Sequence, residues 1–167
     1  IQRLNHEGRI IAYHDRSDGG MFAALCEMSF AGHAGMTVNL DQLCFDSIAT
    51  DIDGSEMQPE ALGGRFTQGL MSVLFNEELG AVIQIRTDQR RQVLSVLAEE
   101  GLGEASFVIG SVNDGDEIRF LRNNKPVFAE KRVDLHRAWS ETTYQMQKLR
   151  DNPECAQQEY DRILDLH

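Results

Sequence analysis

Eight consecutive residues, Tyr13-His14-Asp15-Arg16-Ser17-Asp18-Gly19-Gly20, constrain the fold of this chain more than any other segment. They form a polar run wedged between two apolar elements. Ile10, Ile11 and Ala12 lead into it as a strand that runs to Tyr13, and Met21, Leu25 and Met28 follow it at helical spacing. A strand that enters a helix through two glycines leaves the first backbone N–H groups of that helix pointing outward. Anions bind at such helix N-termini, and Gly19 and Gly20 lack the Cβ atoms that would keep a phosphate away. Asp15 and Asp18 would repel that phosphate unless a divalent cation lay between, and Mg²⁺ typically binds one or two carboxylates together with phosphate oxygens. Ser17 is able to donate to a phosphate or to cap the helix. The plainer reading, Ser17 or Asp18 as an N-cap and the glycines as a tight turn, uses the same residues, and the run alone leaves both open.

Beyond this turn the apolar pattern alternates between helical and strand periods, which predicts an α+β fold. The pattern predicts a helix over Gly19 to Gly32 and a strand over Met36 to Leu40. A helix over Phe66 to Leu79, stopped by Gly80, then leads to a buried strand over Ala81 to Arg86. Asp88 to Glu100 reads as a helix capped by Thr87 or Asp88 and ended by Gly101. Strands over Ser106 to Val112, Glu117 to Arg122 and Pro126 to Ala129 are separated by Asn113-Asp114-Gly115 and by Asn123-Asn124, both typical hairpin turns. A long helix over Val133 to Arg150 carries Leu135, Ala138, Trp139, Thr142, Met146 and Leu149 as an expected core stripe. Asn152-Pro153 separates it from a terminal helix.

Composition narrows the classes of function. A formal net charge of −11 over 167 residues opposes nucleic-acid binding and adhesion to anionic membranes, both of which need clustered Lys and Arg. Cys26, Cys44 and Cys155 form no C-x-x-C pair and are odd in number, so neither a zinc ribbon nor a secreted disulfide framework fits, and a cytoplasmic setting follows. No signal peptide and no apolar run of membrane-spanning length is present. Residue 1 is Ile rather than Met, which suggests a trimmed or excised piece of a longer protein. The sequence also has no G-x-S-x-G elbow, P-loop or cysteine-nucleophile signature, so no catalytic residue is assigned.

Three further features bear on function. Residues 41–65 gather Asp41, Asp46, Asp51, Asp53, Glu56 and Glu60 without a Lys or Arg before Arg65, in no calcium-loop spacing, and read as a mobile, solvated insertion. Glu77 and Glu78 fall in the last turn of a predicted helix, where the macrodipole disfavours negative charge. A site, an interdomain contact or plain solvent exposure would each put them there. His14 beside two carboxylates reads as a structural histidine, a proton carrier or a donor to phosphate, a helix away from His33.

The string HDRSDGGMFAALCEMSFAGHAG from His14 to Gly35 resembles the start of the C-terminal lobe in the family of ATP-dependent purine-pathway ligases typified by aminoimidazole ribonucleotide synthetase. LFNEELGAVIQI from Leu74 and WSETTYQMQKLRDNPECAQQE from Trp139 resemble the large, single-chain bacterial amidotransferase of that family; Leu40 to Arg65 resembles nothing recognisable. The resemblance implies a mixed sheet with helices on its faces, partly ferredoxin-like. It implies a synthetase lobe over 1–132, and a helical segment over 133–167 leading towards a linker and glutaminase domain. The implied partners are the preceding synthetase lobe and the glutaminase domain of the same full-length chain, with small-molecule substrates and neither nucleic acid nor membrane. The implied reaction converts formylglycinamide ribonucleotide, glutamine and ATP to formylglycinamidine ribonucleotide, and the isolated piece is expected to be inactive. By the resemblance Asp15 matches a Mg²⁺ ligand and Ser17 a nucleotide contact, in an ATP/ADP site that is auxiliary rather than catalytic. A self-contained Mg²⁺ or nucleotide-binding module and a purely structural interaction domain are the competing expectations.

Overall fold

A computed structural model describes residues 1–44 and 69–165. The chain folds as two units, Ile1–Leu25 with Leu40–Ile109, and Cys26–Asn39 with Gly110–His167. The predicted α+β class holds, with helices accompanying one antiparallel pair and one mixed four-stranded sheet.

The first unit opens with a short helix α1 (Gln2–His6) that the apolar pattern did not announce. Strand β1 (Ala12–Asp15) follows, then the first turns of helix α2 (Gly20–Gly32). Asp41–Cys44 form a turn in which Leu43 and Cys44 N–H both donate to the Leu40 carbonyl; the rest of the acidic stretch, from residue 45, lies outside the described residues. Residues 69–75 are helical and are designated α3. Strand β3 (Ala81–Gln84) pairs antiparallel with β1, Tyr13 opposite Ile83 and Asp15 opposite Ala81. A 3₁₀ turn, Thr87–Gln89, leads into α4 (Arg90–Glu99), and no side chain caps it. Leu4, Val93, Val96 and Leu97 form one core cluster here, with Ile10, Ile83 and Ile85 packed on it.

Gly101 ends α4 as the sequence predicts. At φ +79° it lets Leu102 N–H reach the Leu97 carbonyl (2.8 Å) while its own N–H reaches Ala98 (3.0 Å), the paired bonds of a Schellman motif. Gly80 has no such role. The chain leaves α3 after Phe75, and the Asn76 side chain accepts from Glu78 N–H (2.8 Å) in an Asx turn. Glu77 and Glu78 therefore lie in a loop rather than in a final helical turn. Strand β3 is only half-buried, because it belongs to a two-stranded ribbon.

The second unit is built on a four-stranded sheet of order β4-β2-β5-β6. Its strands are β2 (Gly35–Asn39), β4 (Gly110–Asn113), β5 (Glu117–Arg122) and β6 (Lys125–Lys131). Strand β2 lies parallel to β5 and antiparallel to β4, so Asn113-Asp114-Gly115 is not a hairpin turn: it crosses the end of β2, where Gly35 N–H donates to the Gly115 carbonyl (2.7 Å). Ser106 to Ile109 stay outside the sheet. Asn123 and Asn124, at φ +50° and +57°, do close the β5-β6 hairpin, the left-handed pair a type I′ turn requires. The central strands supply the core: Met36, Val38, Ile118 and Phe120 are buried.

Helix α5 (Arg132–Arg150) turns a different face inward from the one its apolar stripe suggests. Its buried residues are Arg132, Val133 and Tyr144, whereas Trp139, Met146 and Leu149 are exposed. The reason is α6 (Pro153–Asp161), capped by the Asn152 side chain with Pro153 at its first position. Tyr160 of α6 stacks on Tyr144 (4.3 Å between centroids), the Arg137 guanidinium lies 4.5 Å over the Tyr160 ring, and the Tyr160 hydroxyl donates to Glu141 (2.5 Å). Amphipathic tyrosines thus make the seam, and an apolar count overlooks them. His136 stacks on Phe30 at 4.5 Å, and burial, with Arg132 and His33 nearby, pulls its pKa below the usual histidine value.

Among the described residues Arg132 is the most buried charge in the unit, at 1% exposure, and it stands at the N-terminal end of α5, where the macrodipole disfavours a cation. Asp116 resolves the conflict. Its carboxylate accepts from Arg132 Nε (2.6 Å) and its carbonyl from Arg132 N–H (2.8 Å). Removing the carboxylate leaves a buried, uncompensated guanidinium. Asp116→Ala is therefore expected to lower stability by ~3 kcal/mol, and Arg132→Met by less, since an apolar chain of similar length replaces the charge. Urea unfolding of the two variants, with equal m-values, checks the order.

Candidate functional site

The turn after β1 is built by a reciprocal set of contacts between residues 15–20 and 74–80. Arg16 N–H donates to the Gly80 carbonyl (2.8 Å), continuing the β1-β3 ladder by one bond. Its guanidinium then donates through Nε to the Glu78 carbonyl (2.7 Å) and through Nη2 to that of Leu79 (3.2 Å). In return, the Glu77 carboxylate accepts from Gly19 N–H at 3.0 Å. Phe22 and Phe75 pack with ring centroids 5.4 Å apart.

Gly19 and Gly20 both take left-handed conformations, φ +81° and +67°. At Gly20 a second constraint acts. A Cβ there would stand 2.7 Å from the Leu74 carbonyl oxygen and 2.8 Å from the Phe75 backbone, so the missing side chain is what lets α2 start against the end of α3. Gly20 is buried, whereas Ser17, Asp18 and Gly19 are exposed.

Strand β1 runs two residues further than its apolar pattern, through His14 to Asp15. The alternation places Tyr13 and Asp15 on its exposed face, and the Tyr13 hydroxyl donates to Asp15 Oδ1. That hydrogen bond to a carboxylate is the main cause raising the Tyr13 pKa above the ordinary tyrosine value. The His14 ring sits with Nδ1 2.6 Å from the Asp15 carbonyl oxygen, which only accepts, so Nδ1 carries the proton.

Asp15, Ser17, Gly19 and Gly20 thus fall together at the strand-to-helix junction. The structure adds two residues whose part the sequence left undefined. Glu77 holds the Gly19 N–H and Arg16 grips the 78–80 backbone. The one signal for Glu77 was a pair of acids, Glu77-Glu78, directly before a glycine and a strand. Among the described residues no group of three or more His, Cys, Asp and Glu side chains is placed to hold a metal. One exposed carboxylate, Asp15, still fits a Mg²⁺ ion that takes a single protein ligand here and the remainder from phosphate, water and other protein parts. Among the same residues no helix is long and apolar enough to cross a membrane.

Residues 1–122 match the family model described as AIR synthase related protein, C-terminal domain. The chain belongs to that family. Among solved structures it is similar to Thermotoga maritima PurL complexed with FGAR, at 20% identity and a TM-score of 0.54, over 80% of this chain and 19% of that one. PurL of the same organism complexed with ATP matches at 19% identity and a TM-score of 0.52, over 78% and 19%. Phosphoribosylformylglycinamidine synthase II from Thermotoga maritima gives the same values. At these identities the likeness is one of fold. The chain spans about a fifth of the length of the solved chains it matches.

The Gly20 geometry gives a direct test. Gly8 also has a left-handed φ, +65°, but an added Cβ there meets nothing within 4 Å. Gly8→Ala is expected to cost only the conformational penalty of ~1–2 kcal/mol. Gly20→Ala bears that penalty and a backbone collision, and its thermal midpoint falls well below that of Gly8→Ala.

Proposed function

We propose that this chain is the C-terminal lobe of the second synthetase half in a large, single-chain phosphoribosylformylglycinamidine synthase, and that it forms one wall of an auxiliary Mg²⁺-nucleotide site. The observation that carries the reading is the exposed row Asp15, Ser17, Gly19 at the N-terminal end of α2, in a chain whose family is that of the synthetase C-terminal domain. The relatives' structures hold ATP, ADP or FGAR, the ligands this reading requires. The proposed lobe covers 1–132. Residues 133–167 continue towards a linker and a glutaminase domain, and the preceding synthetase lobe is the other partner, within a cytoplasmic enzyme.

In the proposed site Asp15 is the one Mg²⁺ ligand from this lobe, and Ser17 donates to a nucleotide phosphate. Gly19 and Gly20 keep the backbone close to it. Bound Mg²⁺ would offset phosphate charge that Asp15 and Asp18 otherwise repel. In the complete enzyme the amide oxygen of formylglycinamide ribonucleotide takes the γ-phosphoryl group of ATP. Ammonia from glutamine then displaces phosphate, giving formylglycinamidine ribonucleotide, ADP, phosphate and glutamate. That chemistry needs a shielded, charge-stabilising site, and this lobe offers no catalytic residue for it.

A structural role for the turn has one observation in its favour: Glu77 already occupies the Gly19 N–H. The two readings differ in what Asp15→Asn does to the full-length protein. On the nucleotide reading it weakens Mg²⁺-dependent ADP retention without unfolding the lobe, and Ser17→Ala does so more mildly, by the ~0.5–1.5 kcal/mol of a neutral hydrogen bond. Calorimetry with ADP and Mg²⁺ measures both; unchanged binding in Asp15→Asn assigns the turn to structure alone.

The 167-residue chain by itself is expected to make no formylglycinamidine ribonucleotide from glutamine or from free ammonia. Product above the level of a heat-killed control would exclude the proposed division of labour.

A further inference from the structure

Helix α5 carries Leu135, Trp139, Thr142, Met146 and Leu149 at successive spacings of four, three, four and three, the a/d rhythm of a heptad seam. The seam faces away from α6. Arg137 and Tyr144, which meet Tyr160 of α6, occupy the opposite f positions of the same heptads. Trp139 is 59% exposed, Met146 62% and Leu149 89%. The indole is nonetheless held in place, with Phe30 at 6.1 Å and His136 at 6.3 Å between ring centroids.

We propose that this seam is a docking face for an apolar-striped α-helix of the same, longer polypeptide. A 3.5-residue rhythm fits knobs into the holes of another helix, whereas a strand offers side chains with period two. Area decides where that helix comes from. Fifteen residues at helical rise give a strip of ~21 Å by ~10 Å, so a helix pair buries ~400 Å² in all. Partners meeting from solution need ~1,200 Å² or more, three times that. A tethered helix instead meets the seam at an effective concentration of order mM, where a small contact is enough. Solved chains of this fold are about four times as long as this one, since 78% of this chain covers 19% of them, and α5 lies beyond the residues 1–122 matched by the family model. The e and g positions, His136, Ala138, Thr143, Gln145 and Arg150, include only one always-charged residue, so the charge pairing that selects identical coiled-coil partners is missing.

The test uses the full-length protein with a photo-crosslinking amino acid in place of Leu149, together with hydroxyl-radical footprinting of Trp139. The expected crosslink joins position 149 to a helical segment of the same polypeptide outside this chain. Trp139 is expected to oxidise several-fold more slowly than in the denatured protein, and Met146→Glu to abolish that protection. A crosslink to a second copy, to residues 45–68 or to a separate protein overturns the proposal, as does oxidation of native Trp139 at the denatured rate. The inference rests on the reading of this chain as one lobe of a longer synthase, yet the two fail separately. A longer polypeptide without amidotransferase activity but with the crosslink removes only the functional reading; an active amidotransferase with unprotected Trp139 removes only the docking face.

Discussion

The carboxylate of Glu77 on the Gly19 N–H is the contact on which the candidate site depends. Two glycines in left-handed conformation are the least restrained junction a chain can make, because glycine has the most freedom to lose on folding. Here the loss is shared among several small contacts. Arg16 fixes the loop from one side, Glu77 fixes the turn from the other, and the bare Gly20 backbone lies against the end of α3 between them. Each contact is a single exposed hydrogen bond or a van der Waals fit, modest alone. Together they set the direction in which Asp15 and Ser17 face.

The same arrangement creates an electrostatic tension. Asp15, Asp18 and Glu77 bring three carboxylates to a turn whose first helical N–H groups favour an anion. Glu77 satisfies that preference internally, through the positive end of α2. Asp15 satisfies part of its own through the Tyr13 hydroxyl. A phosphate added to this turn meets negative charge on both sides, so a nucleotide site here requires a cation and ligands from elsewhere. On the proposed reading the site is therefore shared with other parts of a longer chain rather than self-contained.

Much of the fold was legible because local chemistry and tertiary structure agree. Asn123-Asn124, Asn152-Pro153 and Gly101 each impose a backbone conformation that no distant contact has to supply, and all three fall where the sequence places them. The misreadings share the opposite cause. Asn113-Asp114-Gly115 has hairpin chemistry, but β2 takes the place between β4 and β5, and a turn sequence carries no information about which strand pairs with its neighbours. Phe66 to Leu79 keeps helical spacing to the end, yet the Asn76 side chain offers Glu78 N–H a local partner and the helix stops at Phe75. Of the site, Asp15 through Gly20 was visible as a turn, whereas Glu77 was invisible as its cap because 58 residues separate it from Gly19.

Helix α5 shows why periodicity ranks faces only by polarity. Its apolar seam and its tyrosine face lie on opposite sides, and the tyrosines win the local partner because α6, joined through a single capped turn, presents Tyr160 to Tyr144 at almost no cost in loop entropy. Ring stacking and a cation over a ring then hold that seam, and two short bonds satisfy both tyrosine hydroxyls. The more apolar face is left outward as a consequence of connectivity, not of weak hydrophobicity. A burial preference read from sequence names the side chains that gain most from leaving water, but the shortest connection decides which of them reaches a partner within this chain.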